Sequence, residues 1–252
     1  MSAASAALQA LVQEAQATGT LAGLPDQHLI GGRWRASVTG AQMQTVDPGT
    51  AKAFALFAAG DAQDVDLAVA SARAALKGPW RDATPARRGQ MLGRVAQLIR
   101  ANADRLAVVE CLDSGKRLVE AQGDVAGAAN CFEYYAGACD KHEGSSIPLG
   151  PDYLAYTLNE PIGMTAHIIP WNYPLSTAAR GIAPALAAGC TVVAKPAEQT
   201  PLTCLMLGEL CLQAGLPPGV CNVISGTGAQ AGAALVRHPG IDHITFTGSV
   251  AT

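Results

Sequence analysis

Charged residues are scarce in this chain of 252 residues. They make up only 15% of it, whereas 49% of the residues are hydrophobic. That balance argues against a disordered or fibrous protein and is typical of a packed α/β or helical one, in one sizeable domain or two small ones. The formal net charge is −3 at pH 7, so we expect neither a nucleic acid nor an anionic membrane as a partner.

Long apolar runs are lacking as well. No run approaches the ~20 residues that a membrane-spanning helix needs. Residues 1–19, MSAASAALQALVQEAQATG, have no basic segment followed by a compact apolar one, as a secretory leader would, and instead predict a loosely amphipathic helix. We therefore expect a cytoplasmic protein.

The cysteines and histidines lack the spacings that bind metals. No Cys-x-x-Cys motif occurs, and the number of cysteines, seven, is odd. This favours a reduced, intracellular protein in which cysteines are small buried side chains. His167, inside the apolar run AHIIP, is expected to be a core histidine rather than a ligand. The sequence predicts no metal site.

Short apolar strands and helices alternate strictly from residue 163 onward. The strands MTAHII, TVVAKP, VCNVIS and DHITFTG are separated by the helices TAARGIAPALAAG, LTCLMLGELCLQAG and AQAGAALVRH. This alternation predicts βαβ units and an α/β fold with a doubly wound parallel sheet. Before residue 163, the patterns predict a hairpin turning at Gly31-Gly32, a strand AFALFAA, a helix capped by Asp61 or Asp64, two long helical segments and a hairpin excursion.

One glycine–lysine pair has a misleading likeness to a phosphate-binding loop. The segment DSGKRL contains Gly115-Lys116, but Glu110 stands where the first glycine of that motif belongs, and no strand precedes it. We interpret the segment as a helix break.

Ligands of a doubly wound sheet bind beyond the carboxyl ends of its strands. Four such ends carry residues with useful chemistry: Pro170-Trp171-Asn172-Tyr173-Pro174, Lys195-Pro196-Ala197-Glu198, Gly226-Thr227-Gly228 and Thr247-Gly248-Ser249. Turn glycines, an amide and one cation–carboxylate pair would meet at one edge of the sheet. This co-location predicts a binding site there.

Lys195 and Glu198 are the most informative pair at this edge. They can hydrogen-bond two vicinal ribose hydroxyls, as an acidic residue does in dinucleotide-binding folds. The alternative is a solvated surface pair that contributes almost nothing. A free carboxylate also repels a 2′-phosphate, which favours NAD over NADP.

The other strand ends have structural interpretations beside the functional ones. Ser249 can offer a hydroxyl and an amide to a phosphate, or it can be an ordinary turn serine. The amide of Asn172 can donate to a developing oxyanion, yet asparagine in a proline-rich turn often serves the backbone alone. Gly226 and Gly228 permit either the close approach of a ligand or a tight turn.

Four segments resemble, in order and spacing, successive motifs of the NAD(P)-dependent aldehyde dehydrogenase superfamily. They are IIPWNYPL (168–175), AAGCTVVAKPAEQTPLT (187–203), GLPPGVCNVISGTG (215–228) and ITFTGS (244–249). The segments IGGRW and LDSGK extend the similarity over almost all of the chain, and CFEYYAGACDKHEG is weakly similar to the betaine- and amino-aldehyde branch. The resemblance implies that residues 1–252 are a Rossmann-like cofactor-binding domain, incomplete at its C-terminus and without the catalytic domain.

The same resemblance implies roles for individual residues. Asn172 would be catalytic, donating to the aldehyde oxygen. The implied cofactor-binding residues are Trp171 and Ser249 at the pyrophosphate, Ile168, Ile169, Thr247 and Gly248 along the cleft, Lys195 and Glu198 at the adenosine ribose, and Gly228 near the adenine. The implied activity is oxidation of a small-molecule aldehyde to a carboxylic acid with NAD, through a cysteine thiohemiacetal and thioester. The hairpin at about 144–160 resembles the family's oligomerisation hairpin, which implies a homodimer or homotetramer.

The chain also departs from the family pattern. The family's general-base glutamate and nucleophilic cysteine lie beyond its F-T-G-S motif, and neither is found in these 252 residues. Val250-Ala251-Thr252 also lack the glycine that completes the family's phosphate turn. The chain is therefore either the N-terminal part of an enzyme, inactive alone, or a non-catalytic module for binding or subunit interaction. A more distant alternative is another dinucleotide or phosphate binder on a similar sheet.

Overall fold

The computed structural model describes residues 3–249, so the departure noted at residues 250–252 lies outside the described residues. The strands are β1 (His28–Ile30), β2 (Arg33–Arg35), β3 (Gln42–Asp47), β4 (Lys52–Ala58), β5 (Ser146–Ile147), β6 (Ala155–Tyr156), β7 (Met164–Ile169), β8 (Thr191–Pro196), β9 (Cys221–Val223) and β10 (His243–Phe246). The helices are α1 (Ala3–Thr18), α2 (Ala62–Ala75), α3 (Pro85–Ala101), α4 (Ala103–Ser114), α5 (Leu118–Ala138), α6 (Pro174–Ala188), α7 (Leu202–Gln213) and α8 (Ala233–Arg237), and a π-helical turn spans Gly228–Gly232.

Parallel strands form the centre of a six-stranded sheet with the order β10-β7-β8-β9-β1-β2. β7 pairs in parallel with both β8 and β10, and β8 pairs in parallel with β9. The chain thus runs outward from β7 through β8 to β9 and then returns to place β10 on the other side of β7. Because the strand order reverses between β7 and β10, that is the topological switch point of the sheet. The predicted doubly wound α/β fold is confirmed, with the predicted hairpin at Gly31-Gly32 added as the antiparallel strands β1 and β2.

Helices cover both faces of this sheet, so its central strands are buried on both sides. Val192 and Ala194 of β8 belong to the large core that contains residues of α3, α5, α6 and α7. Val193, which points the other way, packs in a second core with residues of α2 and α8. All six residues of β8 are buried as a result.

The segments before the main sheet follow the predicted pattern with two differences: β3 is added, and the first of the two predicted long helical segments forms two helices, α3 and α4, which meet at Asn102. Both candidate caps of α2 are used, since Asp61 and Asp64 together form a capping box. The predicted strand AFALFAA lies in β4, but it pairs antiparallel with β3 instead of joining the main sheet. The sequence analysis did not predict β3, because its polar residues give no continuous apolar run.

The middle of the chain confirms a break and a hairpin. Gly115 ends α4 in the left-handed conformation with φ 74°, and α5 starts at Leu118, as expected for a helix break in this segment. The strands β5 and β6 pair antiparallel and form the predicted hairpin. Of the helices in residues 3–249, none is long and apolar enough to cross a membrane.

The segment predicted as the helix AQAGAALVRH is instead a π-helical turn followed by the five residues of α8. Thr227 starts this turn, because its hydroxyl accepts a hydrogen bond from the Gln230 amide and its carbonyl accepts one from the Gly232 amide. Two glycines in the turn lower its helix propensity, which is consistent with the shorter helix.

Candidate functional site

The ends of β7 and β10 lie side by side at the switch point. Phe246 is in register with Ile168, and the Thr247 amide donates to the Ile168 carbonyl at 3.2 Å. Ile169 is buried beneath this edge, whereas Thr247, Gly248 and Ser249 are exposed. The structure therefore brings together the two segments that the sequence analysis assigned to one cleft.

The turn between β7 and α6 places Trp171 and Asn172 at the same edge. Both side chains are exposed, and the Asn172 amide has no hydrogen bond within residues 3–249. Helix α6 follows directly, with Pro174 at its start and no side chain capping its first amides. Uncapped amides at a helix N-terminus carry a partial positive charge, so this turn is suited to an anion.

Tyr173 connects this turn to a buried ionic cluster. The Lys116 ammonium lies 4.9 Å from the centroid of the Tyr173 ring, within the range of a cation–π contact. Its Nζ is also 3.0 Å from Glu110 Oε1 and 2.7 Å from Asp124 Oδ2. Burial raises the pKa of Glu110, and the nearby Lys116 opposes that shift. The segment interpreted as a mere helix break thus supplies a cation that contacts the residue next to Asn172.

Lys195 and Glu198 form an ion pair at the end of β8. The distance from Lys195 Nζ to Glu198 Oε2 is 3.2 Å, and the two side chains are 2% and 30% exposed. Burial lowers the pKa of Lys195, against the attraction of Glu198. The alternative of a solvated surface pair is therefore wrong for Lys195.

The start of α7, just after Glu198, is held by two carboxylates of α4. Asp113 accepts from the Leu202 amide at 3.0 Å, and Glu110 accepts from the Thr203 hydroxyl at 2.8 Å. Burial raises the pKa of Asp113 to about 7, opposed by hydrogen bonds that include one from Thr45. These supports were not predicted from the sequence; the available signal was a pair of carboxylates three residues apart in the mostly apolar second half of α4.

The two glycines after β9 have different roles. Gly226 has φ 144°, and a Cβ there would lie 2.7 Å from the Gly60 carbonyl oxygen, so this position requires glycine for a tight turn. Gly228 is exposed, and a Cβ there would meet no atom within 4 Å. Open space at Gly228 allows a ligand to approach the backbone. On its other side the π-helical turn faces Lys195, since a Cβ built on Gly232 would lie 3.9 Å from Lys195 Cδ.

The predicted site residues thus form one row along the carboxyl edge of four neighbouring strands. In the order of the sheet, the row runs from Thr247–Ser249 through Ile168–Asn172 and then Lys195–Glu198 to Gly228. The first two groups meet at the switch point, where the Thr247 amide donates to the Ile168 carbonyl. The turn that contains Gly228 faces the Lys195 side chain through Gly232. Because this row spans the ends of four neighbouring strands, it can hold an extended ligand that has an anionic centre and a polar end. Within residues 3–249 there is no group of three or more histidine, cysteine, aspartate or glutamate side chains that could hold a metal ion.

Comparison with known proteins gives one consistent result. The model of the aldehyde dehydrogenase family matches residues 34–252. An aldehyde dehydrogenase of Emericella nidulans is 47% identical over 84% of this chain and 43% of its own length, and betaine aldehyde dehydrogenase 1 of Oryza sativa subsp. japonica is 46% identical over 88% and 46%. Identity alone does not separate these two kinds of relative.

Solved structures agree with this result. A structure described as a putative aldehyde dehydrogenase from Burkholderia cenocepacia has a TM-score of 0.88 at 46% identity, and covers 89% of this chain and 47% of that one. The NAD+ complex of an aldehyde dehydrogenase from Bacillus cereus has a TM-score of 0.89 at 38% identity, and covers 97% and 48%. The chain therefore spans slightly less than half the length of these relatives.

Proposed function

The chain belongs to the aldehyde dehydrogenase family, and from this premise we propose that it is the N-terminal, NAD-binding part of an enzyme that oxidises an aldehyde to a carboxylic acid. In this proposal residues 1–252 form a cofactor-binding domain that is incomplete at its C-terminus. The general-base glutamate, the nucleophilic cysteine and the catalytic domain belong to residues after Thr252.

The observation that carries the proposal is the ion pair between the buried Lys195 and the partly exposed Glu198 at the carboxyl edge of β8. An ammonium group has three hydrogens to donate, and Lys195 donates one hydrogen bond within the described residues, to Glu198. Two donors remain on a side chain that is 2% exposed. Leaving a buried charge this weakly paired is costly, so a ligand with hydroxyl acceptors fits the residues present. The ribose of an adenosine cofactor is such a ligand, with Glu198 accepting from one of its hydroxyls.

The remaining residues of the row bind and orient the other parts of the reactants. The uncapped N-terminus of α6 and the Thr247–Ser249 turn bind the pyrophosphate, with Trp171 against it. When bound, NAD supplies the hydride acceptor of the reaction. Asn172 donates its amide hydrogen to the aldehyde oxygen and stabilises the negative charge that forms there as the carbonyl carbon is attacked by a cysteine thiolate.

We propose NAD rather than NADP because of the Glu198 carboxylate. It lies 3.2 Å from the Lys195 ammonium and is 30% exposed, so part of it is accessible to a ligand. A 2′-phosphate would bring further negative charge against this carboxylate, which Coulomb repulsion disfavours. Exchanging Glu198 for glutamine should therefore raise the NADP-to-NAD ratio of kcat/KM in the complete enzyme.

The hairpin supports a proposal about partners. The hairpin and the residues just after it expose seven large apolar side chains, and a group of exposed apolar side chains can mark an interaction surface. These side chains are Ile147, Leu149, Tyr153, Leu154, Tyr156, Leu158 and Ile162. We propose that this surface contacts another copy of the protein, giving a homodimer or homotetramer in the cytoplasm. The same observation favours the second candidate function, a non-catalytic module for subunit interaction.

A pair of charge insertions tests the hairpin proposal. The double variant with Leu154→Asp and Leu158→Asp should have the mass of a monomer when its mass is measured by light scattering. Val119→Asp, also exposed but on α5, is the control and should leave the mass unchanged. An unchanged mass in the hairpin variant would remove this surface from the interface.

The activity is tested by comparing two proteins. The coding sequence should continue in frame past codon 252, and its complete product should reduce NAD when an aldehyde is added, followed by absorbance at 340 nm. The 252-residue chain alone should show no turnover. Turnover by the short chain would contradict the division of residues proposed here, and a stop codon after Thr252 would favour the non-catalytic module.

A further inference from the structure

Ser225 lies two residues after the end of β9, just before the Gly226 turn. All three of its polar groups form hydrogen bonds with residues from the start of the chain. Its amide donates to His28 Nδ1 at 3.2 Å, and its hydroxyl donates to the Ala58 carbonyl at 2.7 Å. Its own carbonyl accepts from the Gly60 amide at 2.9 Å. The point from which the turn departs is therefore held by strands β1 and β4 and the segment after them.

These contacts define which ring nitrogen of His28 carries the proton. The Ser225 amide can only donate, so Nδ1 must be an acceptor and the proton lies on Nε2. Nε2 has no hydrogen-bond partner in residues 3–249 and lies 3.7 Å from Asp64 Oδ2. Burial lowers the pKa of His28, against the attraction of Asp64 and Asp61. His28 is therefore neutral at pH 7, which its contact with Ser225 requires.

Serine, histidine and aspartate in this order resemble a hydrolytic triad, but the geometry does not support that chemistry. All three side chains are at most 1% exposed, so no substrate reaches Ser225. Its hydroxyl oxygen also lies 3.1 Å from His28 Nδ1. The hydroxyl hydrogen is nevertheless directed to the Ala58 carbonyl, and Nδ1 already accepts from the Ser225 amide, so the imidazole is not placed to remove that hydrogen. The cluster is a support for the backbone.

What this cluster supports is the turn next to Lys195. Gly226 is pressed against Gly60, with room for no side chain. Thr227 then starts the π-helical turn, in which Gly228 is exposed and Gly232 faces the Lys195 side chain. A shift of Ser225 would be transmitted through this short segment to the groups that face the ligand.

We propose that His28 is a positioning residue for the adenosine half of the site. By accepting a hydrogen bond from the Ser225 amide, it fixes the turn that exposes Gly228 and in which Gly232 faces Lys195. The identity of the ligand rests on the proposed function, whereas the positioning rests on the contacts alone. The expected ligand contact is with the turn, and His28 itself touches no ligand.

Three variants of the 252-residue chain separate positioning from general stability. His28→Leu replaces the imidazole with an apolar side chain of moderate size and so removes the Nδ1 acceptor. His28→Asn keeps an acceptor near the position of Nδ1 and should rescue the contact. Ile99→Ala, buried on α3 in the large core, which contains no residue of 224–232, is the control for loss of stability.

Two measurements decide the proposal. In calorimetric titration with ADP-ribose, His28→Leu should raise the Kd at least tenfold, whereas His28→Asn should stay within threefold of the wild type and Ile99→Ala should not change the Kd. In hydrogen exchange, amides of 225–232 should exchange faster in His28→Leu than in His28→Asn, and the amides of β7 should be unchanged. An unchanged Kd in His28→Leu, or a loss in Ile99→Ala as large as in His28→Leu, would overturn the proposal.

The hydrogen-exchange measurement also separates a failure of the positioning role of His28 from a failure of the proposed cofactor site. If the wild-type chain does not bind ADP-ribose, the ligand assignment fails, and the exchange rates of 225–232 alone decide the positioning role. Faster exchange confined to His28→Leu supports that role even then, and equal rates in both His28 variants reject it.

Discussion

β8 and β10 are parallel strands of one sheet, and each ends at a predicted part of the cofactor site, but their surroundings are opposite. All six residues of β8 are buried, whereas all four of β10 are exposed, including the apolar Ile244 and Phe246. β8 has a strand on each side and helices on both faces, whereas β10 is at the edge and pairs with β7. Rigid surroundings favour a pre-organised site. We therefore expect the Lys195–Glu198 half of the site to be formed in this chain and the Thr247–Ser249 half to be the less constrained one.

The largest effect, on kcat, is expected from removing the side-chain amide of Asn172 at the switch point. Asn172→Ala in the complete enzyme should lower kcat by about 100- to 1000-fold, as loss of one oxyanion donor does. Binding of ADP-ribose should not change, because Asn172 is assigned to the aldehyde and not to the ribose. Steady-state kinetics and titration of the same preparation check both statements, and a variant with wild-type kcat would remove Asn172 from the reaction.

A pH experiment tests the strand between the two regions. His167 of β7 is buried, and burial lowers its pKa to about 4, with a smaller effect of His243 on β10. The unfolded chain takes up a proton below pH 6.5 that the folded one does not, so stability present above pH 6.5 is lost as the pH falls toward 4. The loss should reach about 3 kcal/mol at most.

The matched variant for this experiment is His167→Val. Urea unfolding of both proteins between pH 7 and pH 4 should show that the free energy of unfolding of the wild type, minus that of His167→Val, decreases by up to about 3 kcal/mol as the pH falls. Asp113, whose raised pKa acts in the opposite direction, is present in both proteins and therefore cancels in the difference. Parallel curves would show that His167 takes up its proton at the same pH in the folded protein as in the unfolded chain.

The smallest effect is expected at the exposed edge. Phe246→Ser should change the free energy of unfolding by less than about 0.5 kcal/mol, as exposed substitutions do. It should nevertheless reduce aggregation, because it removes apolar surface from an unpaired strand edge. Met164→Ala, on the buried face of β7, is the contrast and should cost about 2–5 kcal/mol. Equal losses of stability would show that β10 is as well covered as β7.

Sequence patterns predicted those parts of the molecule that depend on local periodicity. Strand and helix alternation after residue 163 indicated the sheet, and the rule for strand ends indicated the edge where Asn172 and Lys195 lie. β3 and the π-helical turn were not predicted, because polar residues in one and glycines in the other weaken the local signal. The supports of the site were missed for another reason. His28 and Ser225 are 197 positions apart, and no local pattern reveals a contact made by the folding of the whole sheet.

Binding of ADP-ribose to the 252-residue chain tests the central claim most directly, because this ligand carries the ribose assigned to Lys195 and Glu198 and lacks the nicotinamide. Calorimetric titration should detect binding to the wild-type chain and to Glu160→Ala, an exposed carboxylate variant outside the site. Glu198→Ala should raise the Kd at least tenfold. Equal Kd values for Glu198→Ala and Glu160→Ala would contradict the account.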